Sequence, residues 1–430
     1  MPSVDGEIRT QKRVIDWLVD DLRYIYLGNL EDQDNKSIKE DLLRKNLEKR
    51  GYQDSEISAA ISKLQRVAGN QVNSLYDANK EFYLLLRYGT DVRSDNNHRL
   101  SVHFIDWDNP KANDFYVAEE VSVLREDGRT RKRPDLVIYV NGIALGMFEL
   151  KRSSVSLGEG IRQLLQNQRK ENIQTFFNTV QILFAGNESE GLRYGVIETP
   201  QKYYLQWKED VKATNSLSTT VKEFIGDSAN KLRNAIVSLC QKERFLSLIH
   251  DFLIFDAGVK KIARHNQYFA VIASRNRILE GEGGIVWNTQ GSGKSLIMAW
   301  LAKWVIESPD VPDGRVVIIT DREELDSQIE SLFFNVGENV TRARSGSDLR
   351  EILNTNTSPI VCSLIHKYGH NAGKQVDIDL YRKELLKDLD PDFKAKGNII
   401  AFIDECHRTN SGKLHQAVKT LMPDAILIGF

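Results

Sequence analysis

The sequence is poor in cysteine and proline and has no long apolar run. Its three cysteines, Cys240, Cys362 and Cys406, lie far apart in 430 residues and form no CxxC pair, which excludes a disulfide framework and a cysteine-ligated zinc site and favours a reducing compartment. Only 9 prolines among 41% hydrophobic and 27% charged residues exclude a disordered linker. No apolar run approaches the roughly 18 residues that a membrane span needs, and Asp5 and Glu7 stand where a signal peptide would be apolar. We therefore expect a cytoplasmic protein without a membrane segment.

An excess of one charge is also missing. The chain has 58 basic and 60 acidic residues and a formal net charge of −2. A nucleic-acid footprint can still be local, and the basic run RTRKR at residues 129–133 could contact phosphates. A solvated basic loop explains this run equally well.

The length suggests two or three domains, at about 150 residues per domain. Residues 1–205 begin with a helical pattern over 7–26 and later change to short strand-like runs, which indicates an α+β or α/β domain. Residues 206–250 are polar and predict a helical connector. Residues 251–430 alternate apolar strands with amphipathic helices, which is typical of a parallel sheet covered on both faces. The predicted fold class is α/β.

A glycine-rich loop lies between the strand-like run GGIVWN and the helical run LIMAWLAKWVI. In this order the backbone N–H groups of the loop can surround phosphate oxygens, and the helix N-terminus adds its positive dipole end. Lys294 would reach the β- and γ-phosphates of ATP, and Ser295 would ligate Mg²⁺. Asn288 replaces the first glycine of the usual GxxxxGK[ST] pattern, and an ordinary glycine-rich turn is the alternative. The predicted phosphate-binding residues are Gln290, Gly291, Ser292, Gly293, Lys294 and Ser295.

The second half of an ATPase site is expected at the end of another strand. Asp404 and Glu405 follow the strand-like run NIIAFI, and His407 completes the tetrapeptide DECH. Asp404 would hold Mg²⁺, and Glu405 would orient and deprotonate the attacking water. A helix N-cap would explain an isolated Asp-Glu pair, but the phosphate-binding loop upstream favours catalysis.

A second candidate centre lies in the first half of the chain. Hydrolysis of DNA with a divalent ion needs converging carboxylates, often with a lysine that activates water or neutralises developing charge. Asp135 in Arg-Pro-Asp, and Glu149 and Lys151 in Glu-Leu-Lys, supply these groups. Since strand side chains alternate, Met147, Glu149 and Lys151 share one face while Phe148 points into the core.

The turn between the two acids decides whether they meet. Asn141-Gly142 is a hairpin signal. A two-residue turn would put Asp135 on the face away from Glu149, whereas a three-residue loop would put it opposite Met147 and diagonal to Glu149. We predict the three-residue loop, or an equivalent bulge. A structural edge hairpin is the alternative, because ExK is a common triplet.

Several of these segments resemble a known family. DECH is a variant of the DEAD/DEAH box of superfamily 2 helicases and translocases, and VVIITDREELDSQ (316–328) resembles motif Ia of the motor subunits of type I restriction–modification enzymes. The matching residues are Asp321, Arg322, Leu325, Asp326 and Gln328. Residues 265–269 resemble the Q-type motif, with Gln267 as the amide that reads adenine. Residues 427–430 resemble the opening of motif III, so we expect the natural chain to continue past Phe430.

The first half resembles the same subunits. The string RPDLVIYVNGIALGMFELKR (133–152) is similar to their PD-(D/E)xK nuclease motif. Family members carry a glutamine–tyrosine pair on the following helix; here Gln163 matches, whereas Asn167 stands at the tyrosine position. Glu7 matches an acidic residue near the metal in such nucleases, with a solvated glutamate as the alternative.

The resemblance implies a PD-(D/E)xK-type nuclease domain, with a mixed sheet flanked by helices, followed by the first RecA-like domain of a superfamily 2 motor. It implies an ATP-dependent DNA translocase and Mg²⁺-dependent endonuclease that cleaves unmethylated double-stranded DNA, with ATP and Mg²⁺ as cofactors. Its partners would be a methyltransferase subunit and a specificity subunit. Only one RecA-like lobe fits within 251–430, so we expect weak nucleotide binding and no translocation by this chain alone. A helicase–nuclease of DNA repair and an ATP-regulated DNA-binding module with a structural hairpin are the alternatives.

Overall fold

A computed structural model describes residues 4–430 apart from 94–97, 211, 213–214, 227, 290, 321–339, 344, 356–357, 365–382, 384–386, 388–392 and 405–410. The chain divides into two compact units, Met1–His265 and Asn266–Phe430. Within the described stretches, every helix is too short or too polar to cross a membrane.

The first unit opens with a mostly helical segment. Its elements are α1 (Val4–Asp16), a π-helical turn (Trp17–Asp21), β1 (Ile25–Asn29), α2 (Glu40–Lys49), α3 (Asp54–Ala68), α4 (Leu75–Tyr88) and the ribbon β2 (Thr90–Arg93) and β3 (Arg99–Val102). The helical pattern predicted over residues 7–26 is therefore wrong at its end, where Ile25 begins a strand. Arg23 has a φ of 58°, and this left-handed conformation cannot continue a helix.

A mixed six-stranded sheet forms the centre of this unit. After the ribbon β2–β3, the chain continues with β4 (Phe115–Glu119), β5 (Val123–Leu124), β6 (Arg131–Lys132), β7 (Leu136–Val140), β8 (Ile143–Leu150), α5 (Leu157–Asn167), β9 (Ile182–Asn187) and β10 (Gly191–Gly195). The strand order is β1-β4-β7-β8-β9-β10. The pairs β1·β4 and β8·β9 are parallel, and the other pairs are antiparallel. The predicted mixed sheet flanked by helices is confirmed.

Both faces of the two central strands are covered. Every residue of β7 and β8 is buried. Met147 lies in the core that α5 covers, together with Ile161 and Leu164, and on the other face Phe148 stacks on Phe184 with ring centroids 4.4 Å apart. The prediction that only one face is core is therefore wrong, and the reason is that α5 returns across the sheet to start β9.

The residues after the sheet pack with the first unit. They form α6 (Ser216–Ile225), α7 (Lys231–Cys240), α8 (Lys242–Asp251) and the hairpin β11 (Leu253–Asp256) and β12 (Val259–Ile262). A buried ion pair joins Arg244 to Glu209 at 2.7 Å, and the buried amine of Lys260 donates to Gln181 at 2.6 Å and to Asn79 at 2.7 Å. The domain boundaries at 205 and 250 stay predictions, although the contacts of Lys260 with Asn79 and Gln181 tie this segment to the rest of the first unit.

The second unit is built on a parallel sheet. Its elements are α9 (His265–Leu279), β13 (Gly284–Ile285), α10 (Lys294–Glu307), β14 (Gly314–Thr320), β15 (Val340–Ala343), α11 (Gly346–Asn354), β16 (Ile360–Leu364), β17 (Asn398–Ile403), α12 (Ser411–Leu421) and β18 (Ile426–Gly429). The strand order is β13-β18-β17-β14-β16-β15, and every pair in it is parallel. The predicted parallel-sheet domain is confirmed.

The apolar strands of this sheet pack under helices. Val317, Val361 and Ala401 of three neighbouring strands join Leu349 of α11 and Val418 of α12 in one buried cluster. Because all these strands run in the same direction, their carboxyl ends meet at one edge of the sheet. Open α/β sheets bind ligands at that edge.

Candidate functional site

The turn between β7 and β8 sets the register of the first candidate centre. Asn141 and Gly142 have φ values of 50° and 86°, as a two-residue type I′ turn requires, and Val140 pairs with Ile143. The register then shifts between Tyr139↔Ala144 and Ile138↔Gly146. The predicted three-residue loop is therefore wrong, and the predicted alternative, a bulge, is confirmed.

The bulge changes which residues face each other. Leu145 is the extra residue on β8, and beyond it Val137 pairs with Met147 and Leu136 with Phe148. Asp135 immediately precedes β7, and the same register places it beside Glu149. The predicted pairing of Asp135 with Met147 is wrong. Without a bulge the two-residue turn would pair Asp135 with Phe148; the extra residue on β8 moves the partner one residue forward to Glu149, whereas the longer loop would have moved it one residue back to Met147.

The structure brings the three predicted nuclease residues together. Asp135, Glu149 and Lys151 are 8%, 0% and 9% exposed. The Lys151 amine donates to Glu149 Oε1 at 2.8 Å and to Glu7 Oε1 at 3.1 Å. The backbone N–H of Leu150 donates to Asp135 Oδ2 at 2.5 Å. Glu7, on α1, is therefore part of the same cluster.

Burial and shared charge set the protonation of this cluster. Burial raises the pKa of Asp135 to about 7, against the opposing charge of Lys151. Burial, and then the charge of Asp135, raise the pKa of Glu149 well above its usual range. Burial alone would lower the pKa of Lys151, but the carboxylates of Glu149 and Asp135 outweigh it and raise that pKa. The single positive charge of Lys151 thus compensates the two buried carboxyl groups of Asp135 and Glu149 only in part.

The missing positive charge fits a divalent cation. Glu149 Oε2 is buried and has no hydrogen-bond partner in the described part of the chain, although a buried carboxylate oxygen normally has one. Carboxylate oxygens are the ligands that Mg²⁺ prefers, and Mg²⁺ keeps several waters. Among the described residues no group of three or more His, Cys, Asp and Glu side chains could hold a metal ion. The assignment of Asp135 and Glu149 as metal ligands stays a prediction.

Sequence reasoning missed two residues around Asp135. The Gln11 amide donates to the Asp135 carbonyl at 3.1 Å, and the Glu120 backbone N–H donates to the same oxygen at 2.9 Å. Glu120 has a φ of 49°, and burial raises the pKa of its carboxyl. Only the spacing of Gln11 from Glu7, one helical turn, could have signalled the first of them.

The two candidate residues of α5 lie outside this hydrogen-bond cluster. Gly160 of α5 packs over Glu149, where an added Cβ would lie 3.6 Å from Glu149 Cγ. Gln163 is half-buried. Asn167 is buried, and its Oδ1 has no hydrogen-bond partner. Their roles in the nuclease centre stay predictions.

The basic run near Asp135 is partly neutralised. Arg131 forms an ion pair with Asp34 at 3.0 Å, and Arg133 pairs with Glu31 and, at 2.8 Å, with Glu120. These pairs favour the solvated loop over a free phosphate-binding patch.

The phosphate-binding loop lies at the start of α10 in the second unit. Gly291 and Gly293 have φ values of 77° and 86°, and Lys294 is the first helical residue. The buried Gln267 amide donates to the Ser292 carbonyl at 2.8 Å. A Cβ at Gly293 would lie 2.4 Å from Gln267 Nε2, so this position requires glycine. Gln267 therefore braces the loop, and its contact with adenine stays a prediction.

The polar groups of this loop fit a phosphate ligand. Ser292 Oγ and Asn288 Nδ2 are buried and have no hydrogen-bond partner among the residues that the structure describes, and such groups are normally satisfied in a native protein. Ser295 follows Lys294 in the first turn of α10. Both are half-buried, which leaves them accessible to a ligand at the helix N-terminus.

Asp404 lies at the carboxyl edge of the parallel sheet. Its N–H donates to the Ile319 carbonyl at 3.0 Å, and its Oδ2 accepts from the Thr320 hydroxyl at 3.2 Å. Thr320, at the end of β14, was not a predicted site residue. Several predicted residues lie outside the described part of the chain. They are the candidate site residues Gln290, Arg322, Glu405 and His407 and the other motif Ia residues Asp321, Leu325, Asp326 and Gln328.

Comparison with known families separates the two units in the same way. Residues 6–202 match the family described as type I restriction enzyme R protein N terminus, and residues 266–430 match the SWI2/SNF2 ATPase family. The first match contains Asp135, Glu149 and Lys151, and the second contains the phosphate-binding loop. The first unit is thus similar to the N-terminal region of restriction enzyme R proteins, and the second unit is similar to SWI2/SNF2 ATPases.

Curated relatives point to one kind of protein. The putative type I restriction enzyme MjaIXP endonuclease subunit of Methanocaldococcus jannaschii is 29% identical over 377 residues, which cover 82% of this chain and 34% of that protein. The type I restriction enzyme HindI endonuclease subunit of Haemophilus influenzae is 25% identical over 414 residues, 87% of this chain and 36% of that protein. The type I restriction enzyme SauMRSORF196P endonuclease subunit of Staphylococcus aureus is 26% identical over 352 residues, 80% of this chain and 34% of that protein.

The predicted resemblance is therefore confirmed: the chain is a homologue of type I restriction enzyme endonuclease subunits. It spans about a third of the length of the curated relatives it matches.

Proposed function

We propose that the chain belongs to the ATP-dependent DNA translocase and Mg²⁺-dependent endonuclease subunit of a type I restriction enzyme, which cleaves unmethylated foreign double-stranded DNA in the cytoplasm. Its partners are a methyltransferase subunit and a specificity subunit of the same complex. The names of the relatives support the assignment to a restriction system. The observation that carries it is the convergence of two buried acids and a lysine in one unit, while the other unit carries a phosphate-binding loop.

In the nuclease, Asp135 and Glu149 would hold the divalent ion. When bound, Mg²⁺ would supply Lewis-acid stabilisation of the phosphate and lower the pKa of a bound water. The Leu150 N–H orients the Asp135 carboxyl, and the amine of Lys151 orients Glu149. Because its pKa is raised, Lys151 stays charged and can bind the negative charge that develops on the phosphate.

In the ATPase, the loop from Gln290 to Ser295 would hold the phosphates. Lys294 would contact the β- and γ-phosphates, Ser295 and Asp404 would hold Mg²⁺, and Glu405 would act on the attacking water. Gln267 would read adenine. Arg322 and His407 are candidates from their motifs, with no individual role proposed.

Nicking of supercoiled DNA tests the nuclease proposal. The full chain is incubated with Mg²⁺ or Mn²⁺ and compared with Glu149→Ala, Lys151→Ala and the control Glu171→Gln, an exposed glutamate of the same unit. We expect the first two variants to lose at least about a hundredfold in rate and the control to match wild type.

Equal nicking by wild type, Glu149→Ala and Lys151→Ala would contradict the nuclease proposal and favour an ATP-regulated DNA-binding module with a structural hairpin. Processing of DNA ends regardless of methylation would favour a helicase–nuclease of DNA repair.

A further inference from the structure

The position of Asp135 depends on contacts from outside its own strand pair. The regular pairing of β4 with β7 ends at Glu119↔Leu136, so Asp135 lies one residue beyond it. The chain leaves the sheet there, because Glu120 takes a left-handed conformation with a φ of 49°. Backbone hydrogen bonds continue past the ladder, from the Glu120 N–H to the Asp135 carbonyl at 2.9 Å and from the Val121 N–H to the Pro134 carbonyl at 3.1 Å. A metal-binding carboxylate needs a precisely fixed backbone, and side chains from other elements add to these bonds.

Helix α1 supplies a side-chain donor to the same carbonyl. The amide of Gln11 donates to the Asp135 carbonyl at 3.1 Å and approaches Glu119 Oε2 at 3.4 Å. Gln11 is 4% exposed, so water cannot readily replace these bonds. Among the described residues, the only other donor to that carbonyl is the Glu120 N–H, at 2.9 Å.

The same helix face reaches the other side of the centre. Glu7 lies one turn before Gln11, and residues four apart share a helix face. Glu7 accepts from Lys151 at 3.1 Å. Buried Val14 and Leu18 anchor the chain that follows this face. One helix thus contacts both the strand that carries Asp135 and the strand that carries Glu149 and Lys151.

We propose that Gln11 is a positioning residue of the metal centre, which fixes the Asp135 backbone so that its carboxyl and that of Glu149 can hold one divalent cation. This inference deepens the proposed nuclease function and rests on it. Gln11 does not contact the cation or the DNA. Outer-shell partners of this kind typically contribute about tenfold to a hundredfold in metal affinity.

Binding of Mn²⁺ to the full chain without nucleotide tests the inference, with free Mn²⁺ counted by electron paramagnetic resonance. Glu149→Gln identifies the binding class that belongs to the nuclease centre. Gln11→Met keeps the length of the side chain but removes its donor, and we expect it to weaken that class by about tenfold. Lys12→Met, at an exposed position of the same helix, should bind as wild type does.

The outcomes separate the two claims. Unchanged Mn²⁺ affinity in Gln11→Met, even with a lower thermal unfolding midpoint, would assign Gln11 a structural role only and overturn the inference. Absence of any binding class that depends on Glu149 would overturn the proposed metal centre and the inference with it. If Gln11→Met does not fold, Gln11→Asn, which keeps the amide but shortens its reach, decides by the same measurement.

Discussion

At the scale of single residues, the proposed nuclease centre consists of buried acids whose charges are only partly compensated by the protein. Glu149 is fully buried with one oxygen unpartnered, and burial raises the pKa of Asp135 to about 7. Ionisable groups with strongly shifted pKa values are concentrated at functional sites, where a bound ligand can compensate their charge. The same two acids therefore destabilise the metal-free fold and prepare it for a cation.

The raised pKa of Asp135 predicts the pH dependence of stability. The folded protein holds this proton up to about pH 7, whereas the unfolded chain releases it near its ordinary pKa of about 4. The contribution of Asp135 to the metal-free free energy of unfolding should therefore fall between about pH 4 and pH 7 and level off above that range. Asp135→Asn should raise it at pH 7.5 by at most about 4 kcal/mol and have little effect at pH 4.

Urea unfolding at the two pH values, with chelator present, measures this difference. Saturating Mg²⁺ should reduce it, because the cation stabilises only the ionised wild-type site. An Asp135→Asn variant less stable than wild type at pH 7.5 without metal would contradict the argument.

Thr320 and Asp404 predict a residue-scale effect in the ATPase unit. The buried Thr320 hydroxyl donates to Asp404 Oδ2 at 3.2 Å, which orients the carboxyl at the sheet edge. We expect Thr320→Val to raise the Mg²⁺ concentration needed for half-maximal nucleotide binding by about tenfold, as measured with a fluorescent ATP analogue. Thr320→Ser keeps the hydroxyl and should behave as wild type; equal Mg²⁺ dependence in the valine variant would refute the role.

At the scale of secondary structure, the β7–β8 hairpin does more than connect two acids. Its two-residue turn and its bulge at Leu145 together give the register that brings Asp135 beside Glu149. The turn is itself held by the first residues of the α2 region, since the Lys39 N–H donates to the Gly142 carbonyl at 2.7 Å. Hairpin geometry and helix packing therefore act on the same site.

Gly142 provides the test of this element. Its φ is 86°, and a Cβ there would lie 2.5 Å from the Lys39 carbonyl oxygen. Gly142→Ala should lower the free energy of unfolding by about 3 kcal/mol or more, since both strain and a backbone clash act. Gly128→Ala is the matched control: its φ is 67° but nothing lies within 4 Å, so a loss of only about 1 kcal/mol is expected. If urea unfolding shows equal losses of unfolding free energy in the two variants, the contact of a Cβ at position 142 with the Lys39 carbonyl oxygen costs no stability.

At the scale of the whole chain, the segment 206–265 completes the first unit. A Cβ at Gly146 of β8 would lie 3.2 Å from Phe245 Cζ, and one at Gly186 of β9 would lie 2.9 Å from Leu232 Cδ1. These glycines of the central sheet thus make room for apolar side chains of α7 and α8. The first unit needs α7 and α8 to cover these strands, because the face of β8 and β9 that Leu232 and Phe245 contact is apolar.

We expect residues 1–265 to fold cooperatively by themselves and residues 1–205 to fail. The shorter chain would expose the sheet face that Leu232 and Phe245 cover, and such a patch promotes aggregation. Thermal unfolding followed by circular dichroism, with size-exclusion chromatography, compares the two. A monomeric 1–205 chain with the same unfolding midpoint as 1–265 would contradict this assignment.

Local patterns were enough to predict much of this protein. The parallel sheet, the loop before α10 and the two acids flanking Asn141-Gly142 were predictable, because apolar periodicity, glycine-rich turns and strand alternation are properties of neighbouring residues. The end of the first helical pattern was not, since the left-handed turn at Arg23 and the pairing of Ile25 with β4 involve residues far along the chain.

The sequence by itself determined the residue types available for chemistry and their order along the two units. Only the tertiary structure decided which of them meet. The bulge at Leu145, the cover of both sheet faces and the contacts of Gln11 with Asp135 and of Thr320 with Asp404 all depend on packing between distant segments. Such packing is set by the complementary shapes of whole elements, which no local pattern encodes.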